Sequence, residues 1–184
     1  MGKRPATYVD VEALPENVQG ELIAGELHTH PWRTIPQARV ITQLGFALSD
    51  SFDLGRNVPG SWFIFSHAPE LHLGGDVLVP DLVGLRRERF PQLPRTAGLT
   101  LAPDWVCEVL CPSTEAYDRA IKLPVYAREK VQHVWLVDPD VRTLEVFRLE
   151  GTHYMLLATY IDDARVRAEP FEVLEVGLRS LWRA

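Results

Sequence analysis

Two short apolar strands separated by a helical segment constrain the fold of this chain more than any other sequence feature. The predicted strands are DWVCEVL (104–110) and Val134 to Val137 in VQHVWLVDPD (131–140), which an Asp-Pro-Asp turn closes. The segment from about Thr114 to Lys130 between them is predicted as a helix. A strand that is apolar throughout is typical of one covered on both faces, as in a parallel pair joined by a crossover. The order predicts a mixed sheet with helices packed against it, which is an α/β fold of the mixed α+β kind.

Further elements are predicted on both sides of this unit. Thr34 is a suitable cap, and Pro36 a suitable first-turn residue, for a helix over TIPQARVITQLGFALSD (34–50). Alternating or apolar runs bounded by turn residues predict strands and hairpins. These runs are ELIAGELHTH (21–30, a hairpin), WFIFS (62–66), ELHLGG (70–75), VLVPDLVGLR (77–86), RTLEVFRLEGTHYMLLATY (142–160, a hairpin across Glu150–Gly151) and FEVLEVGLRSLW (171–182, a short strand and a helical turn).

Three segments are predicted to be irregular. Residues 1–20 are interpreted as an arm with little regular structure, and RNVPG (56–60) as a turn. Pro124 lies inside the second predicted helix, where a proline removes a backbone donor and clashes with the preceding turn. We therefore expect a kink there, or a helix that starts late, near Asp118.

Length, charge and cysteine content limit the classes of protein to which this chain can belong. Its 184 residues, 46% of them apolar, fit one domain with one core. The net charge of −6 argues against a basic surface that coats nucleic acid, since non-specific DNA binding depends on Lys and Arg. Two cysteines make no disulfide framework, so we expect a cytoplasmic protein. The N-terminus lacks the apolar region of a signal peptide, and no apolar run is long enough to span a membrane.

Two of the predicted strands carry a carboxylate among apolar residues. Because side chains alternate along a strand, Glu108 shares a face with Val106 and Leu110, and Asp81 lies in the same way between two valines. A buried carboxylate without a partner is costly, so it shifts its pKa or finds a partner. If the two strands are adjacent, the carboxylates of Asp81 and Glu108 converge on one point.

Two convergent carboxylates are typical of a site for a hard divalent cation. Mg²⁺ or Mn²⁺ would take oxygen ligands there, polarise a phosphoryl oxygen and activate a water. Lys122 would position that water or neutralise charge that develops on the phosphate. Glu70, on the preceding strand, is a possible further metal ligand. Asp118, four residues before Lys122, would orient the lysine or cap the helix.

Each of these side chains also has an ordinary structural interpretation. A single acid in an apolar strand often lies at a sheet edge and faces water. Asp118 and Lys122 could form a solvated ion pair worth about 0.3–0.5 kcal/mol. Glu70 could be a surface residue of its strand. His28 and His30 share a strand face but lack a third metal ligand, so a solvated face is the simpler interpretation.

Several of these segments together resemble a known protein family. VPDLVG (79–84), APDWVCEVLCPST (102–114) and DRAIKLPVYAREKVQHVWLVDPDVRTLEVFRL (118–149) are similar to the Uma-two family of bacterial restriction-endonuclease-like proteins, which belongs to the PD-(D/E)XK nuclease superfamily. With ELIAGEL near the start, the resemblance extends from about Glu21 to about Leu149.

The resemblance implies a fold, a domain organisation and a set of functional residues. It implies one restriction-endonuclease-like domain over 1–184, with an arm over 1–20, a core over about 34–138 and a hairpin extension over about 142–176. Asp81 would be the first metal-binding acid and Glu108 the second. The superfamily lysine usually follows that glutamate by two residues, where this chain has Leu110. In this family the lysine lies on the following helix, at the position of Lys122.

The chain departs from the family pattern in three places. Cys111 stands where the family usually has serine, and Gln37 stands near the position of a histidine in many members. Gln132–His133 replaces a pair that is more often Pro–Glu. None of these departures removes a group proposed for catalysis.

Three hypotheses about function follow from these observations. The first is a Mg²⁺-dependent endonuclease with DNA as its substrate, in which a homodimer or a partner protein supplies basic surface. The second is a catalytically inactive nuclease-fold module that binds nucleic acid or a protein, which the acidic charge and the lack of a DNA-reading motif favour. The third is a metal-dependent phosphoesterase that acts on small phosphates.

Overall fold

Five helices and thirteen strands form the part of the chain that the structure, a computed structural model, describes: residues 4–55 and 61–183. The predicted turn at 56–60 lies outside the described residues. The helices are α1 (Tyr8–Glu12), α2 (Ile35–Leu48), α3 (Glu115–Tyr117), α4 (Leu123–Arg128) and α5 (Arg179–Trp182). A π-helical turn extends α2 over Ser49–Asp53, and another joins α3 to α4 over Asp118–Lys122. No helix within the described ranges is long and apolar enough to cross a membrane.

The strands form two large sheets and one small one. The first sheet has the order β2 (Glu26–His30), β1 (Gln19–Ile23), β5 (Asp76–Leu78), β4 (Glu70–Leu73) and β7 (Gly98–Leu99). The second has the order β11 (His153–Ile161), β10 (Thr143–Glu150), β9 (His133–Asp138), β8 (Trp105–Val109), β6 (Leu82–Arg86) and β3 (Trp62–Ser66). The short pair is β12 (Arg165–Val166) with β13 (Val176–Gly177).

The central pair of the six-stranded sheet confirms the mixed α/β fold class. β8 and β9 are parallel neighbours, with Trp105 opposite His133 and Val109 opposite Val137. The crossover between them carries α3 and α4. The other pairs in this sheet are antiparallel, including the β10–β11 hairpin around Glu150 and the β6–β8 pair. The sheet is therefore mixed, with helices packed against it.

The structure differs from the sequence predictions at the N-terminal arm and at the predicted strand over 77–86. Residues 1–20 are not irregular throughout, because Tyr8–Glu12 form α1, whose capping box joins Thr7 and Asp10. The single strand predicted over 77–86 is two strands, β5 and β6, which belong to different sheets. Pro80 has no N–H for a ladder, and Val79 N donates to a side chain, Glu21 Oε1, at 2.6 Å. The chain thus passes from one sheet to the other through residues 79–81.

Thr34 begins α2 in the way that the sequence predicts. Its side chain accepts a hydrogen bond from Gln37 N, and Gln37 Oε1 accepts from Thr34 N at 2.8 Å, which together form a capping box. One face of α2 is buried against the six-stranded sheet through Val40, Ile41 and Leu44. The first turn of α2 is thereby held beside the end of β8.

An aromatic cluster fills the core on the α2 side of the six-stranded sheet. Phe171 has its ring centroid 4.9 Å from those of Phe52 and Trp62, 5.1 Å from that of Trp105 and 5.7 Å from that of Trp135. Phe171 is 1% exposed. It joins the C-terminal segment to strands β3, β8 and β9.

Removal of this central ring should destabilise the domain. We expect Phe171→Ala to lower the free energy of unfolding by about 3–5 kcal/mol, because a buried ring leaves a cavity among rigid neighbours. Val173→Ala, two residues away at a position 67% exposed, is the matched control and should change stability by less than about 0.5 kcal/mol. Urea denaturation followed by circular dichroism measures both, and equal effects would contradict the assigned core.

Candidate metal and nuclease site

Asp81 and Glu108 face each other across the β6–β8 pair. In this antiparallel register Leu82 is opposite Cys107 and Val83 is opposite Val106, so the next pair outward is Asp81 with Glu108. Directly opposite residues in an antiparallel pair point to the same face. Val109 N also donates to Asp81 Oδ2 at 2.6 Å, which fixes the Asp81 carboxylate at the end of β8. The structure therefore brings together the two acids that the sequence singles out.

Lys122 lies among carboxylates rather than in solvent. Its Nζ is 2.7 Å from Glu108 Oε1, 3.1 Å from Glu21 Oε1 and 3.7 Å from Asp118 Oδ1, and the residue is only 3% exposed. Asp118 and Lys122 lie at the two ends of the π-helical turn between α3 and α4. The pair is buried, so the solvated ion pair that the spacing alone favours is not what the structure shows.

Glu21 is a member of this cluster that sequence reasoning missed. It lies on β1 of the five-stranded sheet and is 1% exposed. Its Oε1 accepts from Val79 N and contacts Lys122, and its Oε2 is 3.3 Å from His30 Nε2. The sequence could have indicated it, because Glu21 shares a strand face with the apolar Ile23 in ELIAGEL. Asp81 and Glu108 are likewise acids beside apolar residues on one strand face.

Arg33 and Gln37 attach the start of α2 to the same place. Arg33 Nε forms a short ion pair with Asp81 Oδ1, and its Nη1 lies 3.4 Å from Gln19 Oε1. Gln37 Nε2 donates to Val109 O at 2.7 Å. Arg33 was not among the residues that the sequence singles out, because an arginine in a loop carries no pattern of its own.

Glu70 is not brought to this cluster. Its Oε2 accepts a hydrogen bond from Tyr8 OH at 2.7 Å and lies 2.8 Å from His72 Nε2. Asp81, Glu108, Asp118 and Lys122 line one cavity of about 130 Å³, and Glu70 does not line it. Glu21, and not the predicted Glu70, is therefore the carboxylate that lies near Asp81 and Glu108 in this cavity.

The buried cluster carries an excess of negative charge. The carboxylates of Glu21, Asp81, Glu108 and Asp118 surround the cations of Lys122 and Arg33, which leaves two uncompensated negative charges when all four are ionised. Burial near the other acids raises the pKa of Glu108 well above its usual range, although Lys122 acts in the opposite direction. Burial likewise raises the pKa of Asp118. A proton or an added cation would remove this excess.

The lysine keeps its proton in this environment. Burial works to lower the pKa of Lys122, but Glu108 and Glu21 outweigh it and hold the pKa well above its ordinary value. Against burial, Lys122 and the hydrogen bonds from its neighbours lower the pKa of Glu21 to about 2. The neighbouring carboxylates thus favour the charged form of Lys122, which is a hydrogen-bond donor. Tyr126 OH donates at 2.5 Å to Glu108 Oε1, the same oxygen that Lys122 contacts.

The carboxylate oxygens of the cluster are the kind of ligand that a hard cation takes. In this structure they are paired with other protein groups. Carboxylate oxygens are the ligands that Mg²⁺ and Mn²⁺ prefer. In residues 4–55 and 61–183, no three His, Cys, Asp or Glu side chains already form a group that could hold a metal. Asp81 is paired with Arg33 and Glu108 with Lys122, so a cation would share these carboxylates with protein groups.

Comparison with known proteins agrees with this fold and places the chain in a family. The profile of the Uma2 family, described as "Putative restriction endonuclease", matches residues 5–180. The chain belongs to the Uma2 family. A crystal structure of a "putative nuclease belonging to DUF820" from Anabaena variabilis ATCC 29413 matches with a TM-score of 0.77 and 21% sequence identity over 97% of this chain and 98% of that one. At that sequence identity the structural match shows the fold alone. None of the curated proteins matches this chain.

The family match and the structural match confirm two expectations from the sequence. The resemblance to the Uma-two family is confirmed over nearly the whole chain, and the restriction-endonuclease-like fold class is confirmed with its mixed sheet and flanking helices. The family match, described as a putative restriction endonuclease, agrees with a nuclease-like protein.

Neutralising Lys122 should destabilise the fold in a pH-dependent way. We expect Lys122→Met to lower the free energy of unfolding by about 3–5 kcal/mol near neutral pH, because it leaves buried carboxylates without their cation. Without the ammonium, burial raises the folded-state pKa of these carboxylates above its unfolded value, so the folded state binds more protons than the unfolded state. Stability of the variant should therefore rise as the pH falls from 8 to about 5, relative to the parent protein.

Guanidinium denaturation at several pH values measures this effect. Lys130→Met is the matched control, because Lys130 is exposed and its Nζ donates to a backbone carbonyl, Gly151 O, at 3.0 Å. A deficit in Lys122→Met that does not change with pH would show that the loss comes from packing and not from charge.

Proposed function

We propose that this protein is a Mg²⁺- or Mn²⁺-dependent endonuclease that hydrolyses DNA phosphodiester bonds. The observation that carries the proposal is the placement of Asp81 and Glu108 opposite each other, with Lys122 bonded to Glu108, in one cavity of a Uma2-family fold. Asp81 and Glu108 would hold the cation, and Glu21 is a further carboxylate that lines the same cavity. The bound cation would supply charge to polarise the phosphoryl oxygen and activate the attacking water.

The protein side chains have separate parts in this proposal. Lys122 stays protonated, so its ammonium would stabilise negative charge on the phosphate rather than accept a proton. Asp118 and Glu21 keep the ammonium beside Glu108. Tyr126 fixes the Glu108 carboxylate through its hydroxyl. The charge excess of the cluster supports the proposal, since a divalent cation would cancel the two uncompensated charges.

Plasmid cleavage tests the assignment of these residues. We expect the parent protein to cut plasmid DNA with Mg²⁺ or Mn²⁺ and not with EDTA. Asp81→Ala, Glu108→Gln and Lys122→Ala should each reduce cleavage by at least about 100-fold, because each removes a group that acts on the transition state. Glu70→Gln is the control carboxylate variant and should cut like the parent, since Glu70 contacts Tyr8 and His72 instead.

Two results would contradict the assignment. Cleavage that survives in Asp81→Ala and Lys122→Ala would mean that the site lies elsewhere. Loss of cleavage in Glu70→Gln, in a variant that unfolds like the parent, would restore Glu70 as a functional residue. Nucleoside monophosphates assayed beside DNA separate this function from a phosphoesterase of small substrates.

A non-catalytic module is the second candidate, and one observation favours it. Asp81 and Glu108 are already paired with Arg33 and Lys122, so these two acids have partners without a metal ion. Calorimetric titration with Mn²⁺ discriminates the two candidates. Heat of binding that Asp81→Ala removes supports the enzyme, and no binding of Mn²⁺ together with retained DNA binding supports the module. A homodimer, which would widen the DNA-facing surface, is tested by sedimentation of the same samples.

A further inference from the structure

One corner of the chain combines an exposed aromatic ring with a cation at the mouth of the proposed site. Residues 31–34, called here the Trp32–Arg33 corner, connect β2 to α2. Trp32 and Arg33 line the same cavity as Asp81 and Lys122. Trp32 is exposed where it lines this cavity, and Arg33 beside it is only partly exposed and contacts Asp81.

Trp32 is positioned unlike the other tryptophans. Of the five in the sequence, Trp62, Trp105 and Trp135 are at most 2% exposed, and Trp182 packs against the core and donates from Nε1 to Asp162 O. Trp32 is 62% exposed. A ring this large usually has a use when it is exposed beside a cavity, because one exposed face can stack on a planar ligand.

Arg33 is the cation of the cavity that can reach a phosphate while it keeps its present contact. Lys122 is 3% exposed and is occupied by three carboxylates. Arg33 is partly exposed, and its ion pair with Asp81 uses Nε, while Nη1 lies 3.4 Å from Gln19 Oε1. A guanidinium carries five N–H donors, so the described contacts leave capacity on its outer nitrogens.

The charge of the chain determines which kind of nucleic acid this corner would suit. A net charge of −6 weakens binding that depends on many phosphate contacts along a duplex. Binding to single strands depends more on stacking of bases on aromatic side chains, which needs only a few cations. A base can stack on Trp32 only when it is free of its own neighbours, because the faces of bases inside a duplex are covered.

We propose that the Trp32–Arg33 corner binds an unpaired nucleotide of DNA, with the indole of Trp32 stacked on its base and the guanidinium of Arg33 on its phosphate. This inference rests on the proposed function and narrows its substrate class to single-stranded or locally unpaired DNA. Because the corner lies at the mouth of the cavity, the adjoining phosphodiester would lie next to Asp81 and Lys122.

Fluorescence anisotropy measures this binding without cleavage. Two probes are compared. The first is a labelled DNA single strand of about 12 nucleotides, a length within the range that single-strand binding folds cover. The second is the same sequence as a blunt duplex. Ca²⁺ replaces Mg²⁺, and a gel confirms that the probe stays intact. The variants are Trp32→Ala, Trp32→Phe and Arg33→Gln. Leu54→Ala and Arg39→Gln are matched controls, because Leu54 and Arg39 are exposed and do not line the cavity.

The expected result is specific to the corner. The parent should bind the single strand more tightly than the duplex, and Trp32→Ala and Arg33→Gln should each weaken binding about tenfold or more. Trp32→Phe should stay within about threefold of the parent, since phenylalanine also stacks. The two control variants should bind like the parent.

Other results would overturn the inference. Among the variants, these are unchanged binding in Trp32→Ala or Arg33→Gln, or a loss of affinity in Trp32→Phe or in the controls as large as in Trp32→Ala. For the parent, they are duplex binding as tight as single-strand binding, or no binding of either probe. Because the readout is binding, a protein that binds through Trp32 but never cuts leaves this inference standing and removes the proposed function. If the parent cuts DNA and the Trp32→Ala variant binds the single strand as tightly as the parent, this inference is overturned and the proposed function stands.

Discussion

The buried ammonium of Lys122 is the interaction on which the arrangement of this site depends. Glu21 belongs to the five-stranded sheet, Glu108 to the six-stranded sheet and Asp118 to the helical crossover, and each contacts Lys122 Nζ within 3.7 Å. Carboxylates this close repel one another, and a cation among them reverses the sign of the interaction. Burying such a set costs desolvation that hydrophobic residues in the same place would not, so stability alone does not explain its presence.

The backbone around this site is irregular where the side chains need to converge. The chain leaves β5 and enters β6 through Val79, Pro80 and Asp81, so the first acid stands at the junction of the two sheets. Lys122 ends a π-helical turn, and Pro124 follows it, where the missing N–H prevents a regular α-helical bond. Widened turns of this kind are frequent at functional sites because they redirect a side chain without ending the helix.

Many elements could be predicted from sequence because their determinants are local. Thr34 caps α2, the apolar pattern identifies β8 and β9, and the hairpin turns near Glu150 as expected. The pairing of Asp81 with Glu108 was also predictable, since it needs only that two neighbouring strands each carry an acid among apolar residues. Glu21 and Arg33 were not identified as partners, because ELIAGEL indicates a hairpin and a loop arginine has no periodicity.

The sequence by itself indicated that two carboxylates lie among apolar residues and would need a partner if buried, because the residues beside them on the same predicted strand face are apolar. It also determined the strand–helix–strand unit that carries Glu108 and Lys122, and the family to which those motifs belong. Only the tertiary structure decided that Glu21, and not Glu70, completes the cluster, and that Arg33 reaches Asp81. These contacts join residues far apart in the chain, so they depend on how two sheets and a loop come together, which no local pattern encodes.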